Sequence, residues 1–256
     1  MLEVCSKNPF FSLPKVRKNE NKTYYNLSIN TQKKPIAKIS INDISTYFPN
    51  ISFKGNKQVI DTKRICELDI PNIRCANKSG VRGESLSHKR NRKFIPLMKE
   101  AGVKQVIDLK TADHSSNFKE LVENNGLKYS HFPMDSENTT DEQIIEYLPE
   151  FFKAINDGDF YIACAQGMHR TDIALTVNYF FNKDAEQEPP ILHGHQSKNG
   201  VRYSDIFRRT NSIFKSLTPE SRAILGLEDF DEKKYKEKKS QLVQINDEYN
   251  RSFVQS

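Results

Sequence analysis

The stretch "DFYIACAQGMHRTDIALTVNYFFNK" (residues 159–183) has a cysteine at the junction of two apolar segments. Its first part, "DFYIACA", is a short apolar run, which predicts a buried strand. Its last part, "HRTDIALTVNYFFNK", is longer and mainly apolar, which predicts a helix. Cys164 lies at the end of the predicted strand, and five residues separate it from Arg170. The stretch therefore predicts a strand, a short loop and a helix.

Strands and helices alternate on both sides of this stretch. The predicted elements are a helix at 85–102, a strand at 104–110, a helix at 114–126, a strand at 127–134, a helix with threonine caps at 139–158, a helix at 202–217, a turn at 218–221 and a charged helix from about residue 228. This order predicts an α/β fold with a mostly parallel central sheet and helices on both faces. Active sites in such sheets lie at the carboxyl ends of strands, and Cys164 is at such an end.

The N-terminal part of the chain differs in pattern and in charge. Short alternating runs at 23–29 and 36–41 predict strands of a small β-rich subdomain. The net charge is +6, and the first 70 residues hold 12 Lys or Arg against 6 Asp or Glu, so the whole excess lies there. This basic segment could dock an acidic partner, although a solvated flank is the simpler interpretation. No nucleic-acid motif accompanies it, so we expect no nucleic-acid partner.

These patterns divide the chain into three parts. Residues 1–71 are predicted to be a basic N-terminal extension or a small β-rich subdomain. Residues 72–227 are predicted to form the catalytic domain, and 228–256 a charged C-terminal helix.

Cysteine usage and apolar segments indicate the setting of the protein. The four cysteines are widely spaced, which indicates neither a disulfide framework nor a C-x-x-C site, so reduced thiols are expected. No segment approaches the roughly 18 consecutive apolar residues of a membrane span, and the first residues lack the order of a signal peptide. We therefore expect a cytoplasmic protein without integral membrane association, and secretion without a cleaved leader stays open.

The loop between the predicted strand and helix has the composition of an oxyanion site. If residues 165–170 curl between the two elements, their successive amide N–H groups point inward and form a nest for a tetrahedral oxyanion, assisted by the helix N-terminus. Gly167 permits the tight backbone. Such a positive concavity favours the thiolate form of Cys164, which makes it a nucleophile. Arg170 offers a planar fork for two oxygens of one phosphoryl group.

With these residues in view, "CAQGMHRT" resembles the phosphate-binding loop of cysteine-dependent protein tyrosine phosphatases, C-x-x-G-x-x-R-[ST], and the order of elements resembles the dual-specificity branch. The segment "GVRGESLSHKRNRKFIPLMKEAGVKQVIDLKT" (80–111) is similar to that branch's opening strand, helix and following strand. The resemblance covers about residues 72–225. It implies a protein tyrosine phosphatase-like fold, here with an N-terminal β-rich extension, and chemistry that needs neither a metal nor another cofactor.

The resemblance also implies roles for the loop residues. Cys164 would take the phosphoryl group, Arg170 would bind it and steady the transition state, and Thr171 would donate a hydrogen bond to the sulfur. The remaining donors would be backbone amides of the substrate-binding residues, which are Ala165, Gln166, Gly167, Met168, His169 and Arg170.

The family uses an aspartic acid about thirty residues before the cysteine as general acid. Asp135 follows a predicted strand end, whereas Asp141 lies in the first turn of a predicted helix, where the helix dipole alone explains an acidic residue. Asp135 is therefore the favoured acid, and a turn aspartate with local backbone bonds is the alternative.

The chain departs from the family pattern at two positions. Ala163 stands where the family usually has a histidine that helps to orient the loop. Asp172 stands where it often has a glycine, which puts a negative charge close to a phosphate site unless the side chain faces away or caps the helix.

Other polar residues have simpler interpretations. His193 and His195 are predicted to lie in a polar loop rather than to bind a metal, because the sequence indicates no third metal ligand. Three arginines of the predicted helix at 202–217 are expected on a solvated face, with a substrate-facing role as the alternative. They are Arg202, Arg208 and Arg209.

Together these observations predict a metal-independent phosphatase with a phosphocysteine intermediate. The loop contains no lysine, which favours phosphotyrosine or phosphoserine/threonine proteins as substrates. An inositol-phosphate or phosphoinositide phosphatase is the first alternative, since the basic surplus could serve such substrates. A catalytically weak phosphate-binding module is the second, and it depends on Ala163 and Asp172.

Overall fold

The computed structural model describes residues 11–19, 22–29, 60–77, 79–111, 116–134, 139–184, 189–193, 195–197 and 200–254. The strands in this part of the chain are β1 (Phe11–Asn19), β2 (Lys22–Ile29), β3 (Arg74–Asn77), β4 (Gly80–Arg82), β5 (Gln105–Asp108), β6 (Lys128–His131), β7 (Phe160–Ala163), β8 (His195–Ser197) and β9 (Gly200–Arg202). The helices are α1 (Thr62–Cys66), α2 (Ile95–Glu100), α3 (Ser116–Asn124), α4 (Asp141–Asn156), α5 (His169–Phe181), α6 (Ser204–Ser216), α7 (Pro219–Leu225) and α8 (Glu232–Val254).

The central sheet has five strands in the order β3-β4-β7-β5-β6. Only β3 runs antiparallel to its neighbour, and the other pairs are parallel. The predicted fold class, a mostly parallel sheet flanked by helices, is confirmed. Since parallel strands end on the same edge, the chain leaves β4, β7, β5 and β6 on one side of the sheet.

Two further pairs of strands are antiparallel hairpins, β1 with β2 and β8 with β9. Strand β2 covers the predicted strand at 23–29, whereas the predicted strand at 36–41 lies outside the described residues.

The sheet is buried on both faces because alternate residues of each strand point to opposite sides. In β7, Phe160 and Ile162 pack in one apolar cluster with helices α4 to α8. Tyr161 and Ala163 pack in a second cluster with residues of α1, α2 and α3. Near-continuous apolar runs such as "FYIA" are typical of parallel strands covered on both faces, which is why the sequence predicts a strand at this segment.

Strand β4 lies close against β7 because Gly80 has no side chain. A Cβ atom on Gly80 would lie 2.1 Å from the buried ring of Phe160. This contact sets the position of the short strand that ends at Arg82.

The predicted helix at 85–102 is wrong in its first half. The helical conformation begins with one 3₁₀ turn (Arg92–Phe94) and continues in α2. The Glu84 carboxylate accepts hydrogen bonds from Arg90 and Asn91, and Asn91 also donates to Ser85 O, so these bonds hold the segment in turns. Local side-chain bonds of this kind compete with helix formation, and helical periodicity does not reveal them.

The C-terminal elements also differ from the prediction. Residues 218–221, predicted as a turn, begin helix α7, where the Thr218 hydroxyl accepts from the Ser221 amide and Pro219 stands in the first turn. The last helix begins at Glu232 rather than near 228, because the side chain of Asp231 accepts the Lys234 amide and caps it.

Packing crosses both of the predicted domain boundaries. Ile65 and Ile70 lie in the cluster with Tyr161, and Tyr235 and Leu242 of α8 lie in the cluster with Phe160. Within the part of the chain that the structure describes, no helix is long and apolar enough to cross a membrane.

Candidate active site

Cys164 lies directly after β7 at the carboxyl edge of the sheet, and only 4 % of it is exposed. The chain then turns through residues 165–168 and enters α5 at His169. We call residues 164–170 the oxyanion loop. The ends of β4 and β5 lie on either side of it, since both pair with β7. This is the strand, loop and helix arrangement predicted from the sequence.

Gly167 is required at its position for two reasons. Its φ angle is +69°, in the left-handed region that residues with a side chain rarely adopt. A Cβ atom at Gly167 would also lie 2.0 Å from the carbonyl oxygen of Gly83, which is backbone and has little room to move. The oxyanion loop therefore packs backbone to backbone against the segment that follows β4.

Donors outside the oxyanion loop bind four successive carbonyl oxygens of the loop. One donor is the Asp172 amide in the first turn of α5, which binds Met168 O at 2.8 Å, and the others come from residues 72–85. The bonds run from Asn72 Nδ2 to Gln166 O (2.9 Å), from Ser85 N to Ala165 O (3.2 Å), and from Arg82 Nη2 to Gly167 O (2.8 Å) and Met168 O (3.0 Å).

These four bonds set the directions of the loop amides. The described peptide bonds are trans, so each N–H points away from the C=O of its own peptide unit. With the carbonyls of 165–168 turned outward, the N–H groups of 166–169 face the opposite, concave side. No described residue accepts a hydrogen bond from the amides of 165–168. Converging amides at a helix N-terminus form a binding site for an oxyanion.

The other residues of the loop differ in exposure. Gln166 and His169 are exposed, whereas Ala165, Met168 and Arg170 are half-buried. Thr171 is completely buried, and its hydroxyl accepts the Cys164 amide at 3.2 Å. That bond fixes the start of α5 against the residue that carries the thiol.

Asp172 faces away from the concave side of the loop. Its carboxylate is 2.6 Å from Arg82 Nη1 and accepts the His193 amide at 3.0 Å, and Arg74 lies 3.9 Å away. The side chains of Asp172 and Arg82 are 1 % and 0 % exposed. The negative charge of Asp172, which the sequence places close to the predicted phosphate site, is therefore paired behind the loop, with two arginines around one carboxylate.

These charges change the ionisation of their neighbours. Burial lowers the pKa of Arg74 to about 9, an effect to which the charge of Arg82 adds and which Asp172 opposes. Burial likewise lowers the pKa of His193, and the charges of Arg74 and Arg82 lower it further. His193 is therefore neutral at pH 7. It is half-buried beside this cluster and lies in the irregular segment 189–193, before β8.

A buried lysine follows β5 on the other side of the loop. Lys110 Nζ donates to Ser87 Oγ and lies 3.8 Å from Asp108 Oδ2, which also accepts the Tyr129 hydroxyl. Burial lowers the pKa of Lys110. Asp108 opposes this effect, and the nearby positive charges of Arg170 and Arg92 add to it. A lysine thus lies close to Arg170 although the oxyanion loop itself has none.

Asp141 is occupied by other contacts. It begins α4, lies 2.7 Å from Arg209 Nη1 and accepts the Ser212 hydroxyl. Arg209 also donates to Thr139 O at 2.6 Å. These contacts give Asp141 a structural role, whereas the favoured acid, Asp135, lies outside the described residues.

Of the three arginines expected on a solvated face, Arg208 is exposed and pairs with Asp205. Arg209 is largely buried against Asp141, so that expectation is wrong for it. The side chains of Arg202 and His195 lie outside the described residues. Among the residues that are described, no group of three His, Cys, Asp or Glu side chains has the arrangement of a metal site.

Arg82 and Lys110 were not among the residues predicted from the sequence. A usable signal existed for Arg82, which stands in the strand "GVRG" between two glycines. A charged residue inside a buried strand needs a buried partner of opposite charge. Asp172 was a candidate for this partner, because the sequence left open which way its carboxylate faces. For Lys110 there was no such signal, because a lysine just after a strand is ordinary at a protein surface.

No protein-family model and no curated protein matches the sequence. Among solved structures, the chain is similar to P. aeruginosa TpbA, with 13 % identity over 60 % of this chain and 91 % of that one at a TM-score of 0.42. It is also similar to the core catalytic domain of the PP-IP phosphatase SIW14 from S. cerevisiae, with 16 % identity over 68 % and 96 % of the two chains at a TM-score of 0.38. Tk-PTP matches with 12 % identity over 62 % and 97 % at a TM-score of 0.35. At such values the function has to be inferred from the chain's own residues.

Replacing Gly167 tests the geometry of the loop. We expect Gly167→Ala to weaken vanadate binding at least about 10-fold and to lower the free energy of unfolding by about 1–3 kcal/mol, because the new methyl group meets the Gly83 carbonyl. Calorimetric titration and urea unfolding measure the two effects. Gly126→Ala is the matched control, since its φ is +71° but its Cβ meets only the flexible end of Lys99. Equal vanadate affinity in the two variants would contradict the expected geometry.

Proposed function

We propose that the chain is a metal-independent phosphatase that hydrolyses phosphomonoesters through a phosphocysteine intermediate. The observation that carries this proposal is that four successive carbonyls after Cys164 accept hydrogen bonds from residues 72–85, which turns the N–H groups of 166–169 to the opposite side of the loop. Such preorganised donors stabilise the charge on the oxygens of a phosphoryl group in transfer. We propose residues 72–227 as the catalytic unit.

In the first step the Cys164 thiolate attacks phosphorus. The S–P bond forms as the P–O ester bond breaks, and the leaving oxygen takes a proton from Asp135. Arg170 binds two of the remaining oxygens with its planar fork, and the loop amides bind the others. The positive end of α5 adds to this stabilisation.

In the second step a water molecule attacks phosphorus from the side that the leaving group has vacated. Asp135, now a carboxylate, accepts the proton of the water, the P–S bond breaks, and inorganic phosphate and the thiolate are released. The Thr171 hydroxyl accepts from the Cys164 amide, so its hydrogen is the group that would donate to the departing sulfur. This chemistry needs a reduced thiol, which supports a cytoplasmic setting.

Phosphotyrosine or phosphoserine/threonine proteins are the first proposed substrates. The exposed side chains of the oxyanion loop are Gln166 and His169, and neither carries a fixed positive charge. A loop of this kind suits a substrate with a single phosphate. The pairing of Asp172 with Arg82 removes one of the two reasons for a catalytically weak module, because the carboxylate faces away from the phosphate site.

Lys110 supports a second candidate, hydrolysis of inositol phosphates or phosphoinositides. Its ammonium group is buried, and the positive charges of Arg170 and Arg92 act on it, whereas Asp108, 3.8 Å away, opposes them. A substrate with several phosphates would gain most from this charge.

Replacing Cys164 tests the proposed chemistry. The wild-type protein should hydrolyse p-nitrophenyl phosphate in the presence of EDTA, and vanadate should inhibit it. Cys164→Ser should abolish turnover and keep vanadate binding within about 10-fold, because the amide donors remain. Cys75→Ser is the control and should retain activity, since Cys75 lies on β3, outside the loop. Full turnover by Cys164→Ser would refute the mechanism.

Two aspartate variants test the proton transfer. Asp135→Asn should slow hydrolysis of a phosphopeptide about 10²- to 10⁴-fold, with a much smaller effect on an activated aryl phosphate, whose leaving group needs no proton. It should also flatten the alkaline limb of the pH-rate profile. Asp141→Asn should leave both features in place and lower the free energy of unfolding by about 1–3 kcal/mol, because it loses the ion pair with Arg209. Exchange of the two phenotypes would identify Asp141 as the acid.

A substrate panel separates the two candidate substrate classes. Phosphate release is measured with phosphopeptides, an inositol polyphosphate and a phosphoinositide, for the wild type and for Lys110→Met. If polyphosphates are substrates, Lys110→Met should lower kcat/KM for them at least about 10-fold and for phosphopeptides less than about 3-fold, because the variant loses one charge near Arg170. Lys153→Met, an exposed lysine of α4, is the control for net charge. Wild-type activity confined to phosphopeptides would exclude the second candidate.

A further inference from the structure

Arg82 is the last residue of β4, and its guanidinium makes all its bonds inside the protein. Three elements meet at this one group: the oxyanion loop, helix α5 and the segment before β8. The contacts are Nε to Gly167 O (3.3 Å), Nη2 to Gly167 O (2.8 Å) and Met168 O (3.0 Å), Nη1 to Ile191 O (3.4 Å) and Nη1 to Asp172 Oδ1 (2.6 Å).

The geometry of these contacts requires an arginine. A guanidinium presents its donors in a rigid plane, so one edge can bind two successive carbonyls while Nη1 binds a carboxylate. A lysine at this position would keep the charge but has a single donor group that cannot meet all of these acceptors. Asp172, in the first turn of α5, fixes the orientation of the guanidinium. Ala163, which precedes the cysteine, has no polar side-chain atom that could orient the loop from inside.

We propose that Arg82 is a positioning residue for the proposed phosphoryl transfer, acting through the loop backbone and held in orientation by Asp172. By binding Gly167 O, it points the N–H group of Met168 at the phosphoryl oxygens. At Met168 O it acts together with the Asp172 amide, which donates to the same oxygen at 2.8 Å, and so helps to direct the N–H group of His169. This inference rests on the proposed function. Arg82 would not touch the substrate, but it would direct loop amides that bind the substrate.

A purely structural role would also make Arg82 important, so the test needs a matched variant. Arg74 is the natural choice, because it is also an arginine beside Asp172, at 3.9 Å, and also donates to Ile191 O, at 3.1 Å. Among the described residues, Arg74 donates to no carbonyl of the oxyanion loop. Arg74→Lys and Arg82→Lys therefore perturb the same buried cluster, but only the second disturbs the loop.

The experiment compares the two lysine variants in stability, vanadate affinity and steady-state kinetics with p-nitrophenyl phosphate. We expect both to unfold at lower urea concentration than the wild type. Only Arg82→Lys should lower kcat, by about 10²-fold, with KM within about 3-fold, and only it should weaken vanadate binding, by at least about 30-fold. This asymmetry arises because the redirected amides matter most when charge accumulates on the phosphoryl oxygens. Vanadate affinity in Arg82→Lys within 2-fold of Arg74→Lys would overturn the proposal.

A second variant keeps the test decisive if Arg82→Lys does not fold. Asp172→Asn retains the size and the acceptor oxygen, and it removes only the charge that orients Arg82. We expect vanadate binding to weaken about 3- to 10-fold, and an affinity equal to that of the wild type would overturn the role of the pair.

A wild-type protein that binds vanadate but does not turn over phosphate esters would refute the proposed function, while the vanadate comparison would still decide the role of Arg82. A wild-type protein that does not bind vanadate would overturn both.

Discussion

Arg82 and Asp172 lie 2.6 Å apart, and water reaches almost none of either side chain. Burying two charges is costly unless they pair closely and their other hydrogen-bonding groups are also satisfied. Here the pair is close, the guanidinium binds three backbone carbonyls, and the second carboxylate oxygen accepts the His193 amide. The loop backbone is thus part of what makes the buried pair tolerable. The oxyanion loop, β4 and α5 depend on one another through this arrangement.

The same interaction explains the distribution of charge around the site. Two arginines surround one carboxylate behind the loop, and Lys110, just after β5, lies within reach of the charge of Arg170. Asp172 offsets one of the rear charges and leaves the concave side to the amide donors. A carboxylate next to a phosphate site is therefore compatible with anion binding when its charge is satisfied on the far side.

Prediction from the sequence succeeded where the signal is local. The strand before Cys164, the helix from His169 and the threonine cap of α4 all follow from patterns within about twenty residues. It was wrong for the first half of 85–102, where Glu84 binds Arg90 and Asn91 and keeps the segment in turns. Such side-chain bonds leave no trace in hydrophobic periodicity.

Sequence patterns alone predicted the α/β class, the cysteine at a strand end, and the short loop that joins this strand to a helix. These features depend on apolar spacing and on the spacing of Cys164, Gly167 and Arg170, all within one short stretch. Tertiary packing determined which way the loop carbonyls face, because most of their partners come from residues 72–85, which lie 80 to 94 positions earlier in the chain. It also decided that Asp172 faces Arg82 and that Asp141 is bound to Arg209. A side chain's partner depends on which strands and helices pack together, and the sequence pattern of one element does not contain that information.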